Sequence, residues 1–209
     1  IRGDDAHQLG MLRHGGILHN RKINIEWIEA EQLTWPECAQ RLEGFDGILV
    51  PGGFGTIAAM EDQELLAQVR RLAGTARYVT SVCTGALVLG AAGLLKGKRA
   101  TTHWAWREAL PAFGATPDSA RVVRDGNEFT GGGVTAGIDF ALTVLAEIAG
   151  SAFAQSVQLR IEYAPDPPFN AGRPELAPAQ VLATAQARYE EVRSARDAAV
   201  QRAAARLSS

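Results

Sequence analysis

Two apolar runs with an amphipathic stretch between them limit how this chain can fold. FDGILV, residues 45–50, is a continuous apolar run stopped by PGG, and RYVTSV, residues 77–82, is a second strand-like run stopped by CTG. An uninterrupted run of this kind suits a parallel strand covered on both faces. Between them, DQELLAQVRRLAG places its apolar residues at helical spacing and ends in glycine. Strand, helix and strand in that order imply a mostly parallel, doubly wound sheet with helices on both faces, an α/β class.

The rest of the chain fits the same scheme. Residues 7–16 read as a helix ending at glycines, and residues 22–30, KINIEWIEA, as a strand. TWPECAQRL is a short helix with Thr34 as N-cap and Pro36 in its first turn. TGALVLGAAGLL is a helix, RATTH a strand ending at His103, and WAWREALPAFG a further helical segment. VVRDGNEFTGG has the pattern of a β-hairpin with Asp-Gly at its tip, and AGIDFALTVLAEIAG is an apolar helix. A proline-rich arm, residues 163–178, is loop. Residues 179–207 form a C-terminal helix rich in alanine and arginine, expected on the outside or against a partner, with its arginines as a solvated face. The first residues, IRGDDAHQLG, supply no apolar opening strand, which a sheet of this kind normally has. With 209 residues, 46% of them hydrophobic, one α/β domain over 1–209 is expected.

Charge and cysteine usage exclude several functions. The net charge is −2 with no basic block, so nucleic acid is not an expected partner. No run reaches the length of a membrane span, and no signal peptide is readable. The chain has only two cysteines, Cys38 and Cys83, which points to a reduced, cytoplasmic setting. Its four histidines lack metal-ligand spacing, so no metal site is expected.

The candidate chemistry sits at two strand ends. If SVC closes a strand and TGALVLG opens a helix, Cys83 occupies a sharp turn with the logic of a nucleophile elbow. The N–H groups at the helix start would favour thiolate over thiol. Thr84 is placed to hydrogen-bond substrate or water, and Gly85 to leave room for a ligand. Gly52 and Gly53 could bring backbone N–H groups to charge developing on an atom attacked by Cys83. His103 is a candidate partner of the cysteine, with a satisfied structural histidine beside Trp104 and Trp106 as the alternative. Cys38 is expected to be inert.

From about Glu61 onward the chain resembles the isocyanide hydratases of the ThiJ/PfpI superfamily. The resemblance rests on ARYVTSVCTGALVLGAAGLLKGKRATTHWAW, RVVRDGNEFTGGGVTAGIDFALT, QLRIEYAPDPPFNAG and the closing RAAARL. LRHGGILHNRKINIEWIEAEQL and LEGFDGILVPGGFG instead resemble the glutamine amidotransferase domain of CTP synthase, so the chain reads as a chimera joined between Phe54 and Glu61. Residues 1–55 form the amidotransferase-like segment and residues 56–209 the hydratase-like one. Both resemblances imply a flavodoxin-like sheet of the class I glutamine amidotransferase type.

The hydratase resemblance implies cysteine-dependent hydration of a small isocyanide through a thioimidate, with no cofactor, in a homodimer. It also implies an acidic residue facing the cysteine, for which Asp4 or Asp5 is the stand-in; an N-cap and solvated terminus is the alternative for that pair. The amidotransferase glutamine and closing His-Pro-Glu are absent, which counts against a glutaminase. A catalytically impaired or redox-sensing scaffold is the remaining alternative.

Overall fold

The computed structural model describes residues 46–207, together with Thr34, Pro36, Glu37 and Gln40 before them. The helix expected at residues 7–16, the strand at 22–30, and Asp4, Asp5 and Cys38 lie outside the described residues. Pro36, Glu37 and Gln40 are helical, and the Thr34 N–H and hydroxyl both donate to the Glu37 carboxylate at 2.8 Å.

The elements follow in chain order. They are β1 (Gly47–Val50), α1 (Thr56–Ala59), α2 (Gln63–Ala73), β2 (Tyr78–Val82), α3 (Gly85–Ala91), β3 (Arg99–Ala100), a 3-10 helix (Trp104–Phe113), β4 (Thr116–Pro117), β5 (Val122–Asp125), β6 (Glu128–Gly131), α4 (Ala136–Ala149), α5 (Ser151–Arg160) and α6 (Ala179–Leu207). Four strands form one sheet in the order β1-β2-β6-β5, and β3 pairs with β4 separately. β2 is parallel to β1 and to β6, with Val50 opposite Ser81 and Val82 opposite Gly131. The antiparallel β5–β6 hairpin turns on Gly126 and Asn127, with Asp125 opposite Glu128. Gly126 has φ +67°, a conformation that glycine adopts without a Cβ clash.

β2 is central, and its side chains go to both faces in alternation. Val79 joins a large core with Leu66, Val69 and Leu72 of α2, Leu87 and Leu89 of α3, and Trp106, Leu110 and Phe113. Tyr78 joins Phe129 and Phe140 on the other face. Helices therefore cover both faces of β2, whereas β1 leaves Leu49 54% exposed, so the double coverage expected of both apolar runs holds for β2 and not for β1. The architecture is a doubly wound, mostly parallel sheet with a C-terminal helix.

Three expectations need correction. The strand expected to end at His103 stops at Ala100, because Thr101 and Thr102 turn to side-chain hydrogen bonds instead of a ladder. Residues 151–160, given no element from the sequence, form α5. The arginines of α6 are not simply a solvated face. Arg196 is 4% exposed; its Nη1 donates to the Ala105 carbonyl at 2.8 Å, and its guanidinium lies over the Trp106 ring. Arg202 forks onto the Glu61 carboxylate, and Arg206 donates to the Met60 carbonyl. Ala199, Val200 and Ala203 are buried beside them. α6 is thus a packed layer of this fold, and no described helix is long and apolar enough to cross a membrane.

Candidate active site at the carboxyl end of β2

β2 delivers Cys83 to the carboxyl edge of the sheet, where the chain reverses into α3. Cys83 has φ +54°, a left-handed conformation that a non-glycine residue keeps only when its surroundings hold it. Its N–H is shared between the Gly131 and Gly132 carbonyls at 3.0 and 2.8 Å. Its carbonyl accepts the Thr102 hydroxyl at 2.7 Å. Backbone groups on both sides of the α-carbon are therefore tied to neighbouring loops, and the elbow is a fixed bend.

The glycines around it are there for close approach. A methyl at Gly52 would fall 2.9 Å from Cys83 Sγ and 2.7 Å from the Thr84 nitrogen, so Gly52 lies directly against the sulfur. A Cβ at Gly85 would overlap the Val50 carbonyl oxygen and lie 2.8 Å from that of Pro51. The space expected there for a ligand is filled by the end of β1. Thr84 Oγ1 accepts the Gly53 N–H at 2.9 Å and sits 3.2 Å from the Gly53 carbonyl, to which it donates. Thr84 thereby fastens the PGG turn to the elbow, and the Gly53 N–H expected to meet developing charge is engaged by Thr84.

The sulfur's ionisation runs against the expectation of a favoured thiolate. Burial pushes the Cys83 thiol up, and the Thr84 N–H and hydroxyl pull it down by less. The reason is physical: a half-buried sulfur loses hydration of its charged form, and the neighbouring polar groups of Thr84 only partly replace it. Cys83 is a free thiol of intermediate exposure.

His103 takes the structural course. Its Nδ1 accepts the Ala105 N–H at 3.3 Å, capping the 3-10 helix, and its Nε2 lies 3.5 Å from the Tyr189 hydroxyl of α6. The ring also packs on Trp104 and Tyr189. With Nδ1 accepting, the neutral tautomer carries its proton on Nε2. Burial, then the nearby Arg107, lowers its pKa. A lowered folded value means that the stability it contributes is present above the unfolded value, about 6.5, and is lost as pH falls through the folded one. Acidification below pH ~6.5 should therefore lower the Tm of the parent more than that of His103→Asn, whose cap does not titrate. Parallel Tm-against-pH curves for the two proteins would exclude this role.

Sequence reasoning missed Thr102 and the two carbonyls of Gly131 and Gly132. Thr102 lies 19 residues beyond the cysteine it touches, and nothing in the local TTH pattern signals that contact. Among the described residues no group of three His, Cys, Asp or Glu side chains gathers as a metal site would.

Comparison with known proteins identifies the family. A family model described as DJ-1/PfpI family matches residues 31–147. An isonitrile hydratase of Pseudomonas putida is 58% identical over 163 residues, 78% of this chain and 72% of that protein. A CTP synthase of Methylobacterium radiotolerans is 61% identical over 44 residues, 21% of this chain and only 8% of that enzyme. A crystal structure of a THiJ/PfpI family protein from Pseudomonas syringae superposes with TM-score 0.72 at 50% identity, covering 75% of this chain. This chain spans 65% of that protein, just under two thirds of its length. A cysteine at the strained bend after a central parallel strand, in a sequence matched along more than half its length by one family, leaves a single assignment: the chain belongs to the DJ-1/PfpI family.

Proposed function

We propose that this chain hydrates isocyanides to N-substituted formamides, with Cys83 as nucleophile. The observation that carries the reading is the fixed Cys83 elbow, in a chain 58% identical over 78% of its length to a protein named isonitrile hydratase.

The chemistry is redox-neutral and needs only water as co-reactant. The Cys83 thiolate forms a bond to the terminal isocyanide carbon, and that carbon takes a proton, giving a thioimidate. Water adds to the same carbon and loses a proton. The nitrogen takes a proton, the hydroxyl left by the water gives up its remaining proton, the carbon–sulfur bond breaks, and the formamide leaves as the sulfur recovers its electron pair. The net change is addition of one water. Thr84 Oγ1 gives its proton to the Gly53 carbonyl and accepts the Gly53 N–H, which leaves one lone pair to accept from the water at the sulfur. Gly52 keeps the approach to the sulfur open, because any side chain there would occupy it. The proton carrier is assigned from the resemblance to Asp4 or Asp5, which lie outside the described residues.

Purified protein given a simple N-alkyl isocyanide should release the matching formamide, read from its formyl proton by NMR. Folded protein that leaves the isocyanide untouched would falsify the reading.

The same proposal includes a cytoplasmic homodimer. The support for the dimer is apolar surface on one arm and beside one helix: Val134 just before α4, Ile138 in its first turn and Phe169 in the proline-rich arm are exposed. Light scattering should return twice the chain mass; a monomer at micromolar concentration would rule the dimer out.

A further inference from the structure

We infer that Thr102 is a positioning residue for Cys83: its hydroxyl holds the Cys83 carbonyl and so sets the tilt of the Cys83–Thr84 peptide, fixing where the Thr84 N–H lies beside the sulfur. The inference rests on reading Cys83 as the nucleophile.

The geometry has three parts. Thr102 is 1% exposed and donates to the Cys83 carbonyl at 2.7 Å, a short bond shielded from competing water. A trans peptide is planar, with its C=O and N–H directed oppositely. Fixing the Cys83 oxygen on one side therefore fixes the Thr84 hydrogen on the other. Thr102 is itself held, because the preceding Thr101 N–H donates to Thr130 Oγ1 at 2.9 Å. β6 thus anchors the loop that carries Thr102, and through Gly131 it also accepts the Cys83 N–H. The frame is closed on every side of a bend that no non-glycine residue adopts freely.

The Thr84 N–H is the larger of the two influences that favour the thiolate against burial. No charged side chain among the described residues competes in that role. On the β6 side Arg121 and Asp139 are paired with each other at 2.6 Å. On the β3 side His103 is directed to Ala105 and Tyr189. On the β1 side Pro51, Gly52 and Gly53 carry no charge. Placement of a single N–H is therefore a lever on this sulfur, and Thr102 is what holds it.

The test reads the thiol directly. In a Cys38→Ser background, the pH dependence of Cys83 alkylation by iodoacetamide and the ultraviolet thiolate absorbance both report its ionisation. Thr102→Val, which keeps shape but removes the hydroxyl, should move the titration to higher pH by about half to one unit. Alkylation at neutral pH should slow by roughly 3- to 10-fold. Thr102→Ser, which restores the hydroxyl, should titrate with the parent. The kcat/KM profile for formamide release should shift by the same amount and recover at high pH, with KM unchanged.

A valine variant that titrates with the parent overturns the inference, and so does a serine variant shifted as far as valine. If valine does not fold by circular dichroism, Thr102→Ala is read in the same way. Loss of the fold in both makes Thr102 structural and also ends the inference. Alkylation needs no isocyanide, so failure of the hydratase reading would leave this result separately decidable.

Discussion

Cys83→Ser and Cys83→Ala should each lose formamide production by at least ~10⁴-fold while melting close to the parent. Serine is the sharper probe. It preserves size and the elbow's backbone bonds, which run through the Cys83 N–H and carbonyl and not through the sulfur. It fails because an alkoxide is far harder to form than a thiolate, and no described base is aimed at it: His103 is committed to its cap and to Tyr189. The parent's own rate should climb with pH. Burial raises the thiol's pKa, so the thiolate fraction is small at neutral pH and grows as pH approaches that raised value. A flat profile above neutrality would separate the rate from the thiolate. Turnover retained in both variants would end the mechanism.

Gly85→Ala should produce the largest loss of stability among single methyl additions in this site. The added carbon would overlap the Val50 carbonyl and crowd that of Pro51. Neither obstacle is a flexible side-chain end; both are backbone at the close of β1, a strand paired residue by residue with β2. Relief would require α3 to lift off the sheet edge. A destabilisation of roughly 3 kcal/mol follows, which lowers Tm by about 6–12 °C in a chain of this size. Gly137→Ala is the control. That glycine is in the first turn of α4 with nothing within 4 Å of the added carbon, so alanine should be neutral or stabilising by up to ~1 kcal/mol. Equal melting of the two variants would show that the β1–α3 contact is looser than described.

The sequence was most informative where one local pattern decides the structure. β1 and β2 were legible because runs such as GILV and YVTSV, ended by small residues, leave little alternative to parallel strands. The Cys83 bend was legible for the same reason, since strand and helix periodicities meet there. What stayed hidden depended on partners far along the chain. RATTH reads as a strand, but Thr101 and Thr102 bond to Thr130 and Cys83, which the local pattern does not contain. Gly85 looked like room for a ligand because the end of β1, more than thirty positions earlier, is what occupies it. The segment SAFAQSVQLR has no clear apolar stripe, so α5 had no periodicity to announce it. The arginines of α6 look solvated by composition; only the fold brings Arg196 to Ala105 and Arg202 to Glu61.

Those last contacts have a consequence for synthesis. Arg202 reaches a residue 141 positions earlier and Arg206 one 146 positions earlier, and α6 also covers part of the main core. Closing such distant pairs is slow, because the intervening chain must be ordered first. On the ribosome, the Met60–Glu61 corner and the adjoining core must wait with apolar surface uncovered until residues near 200 emerge, so chaperone demand should persist until α6 has been made.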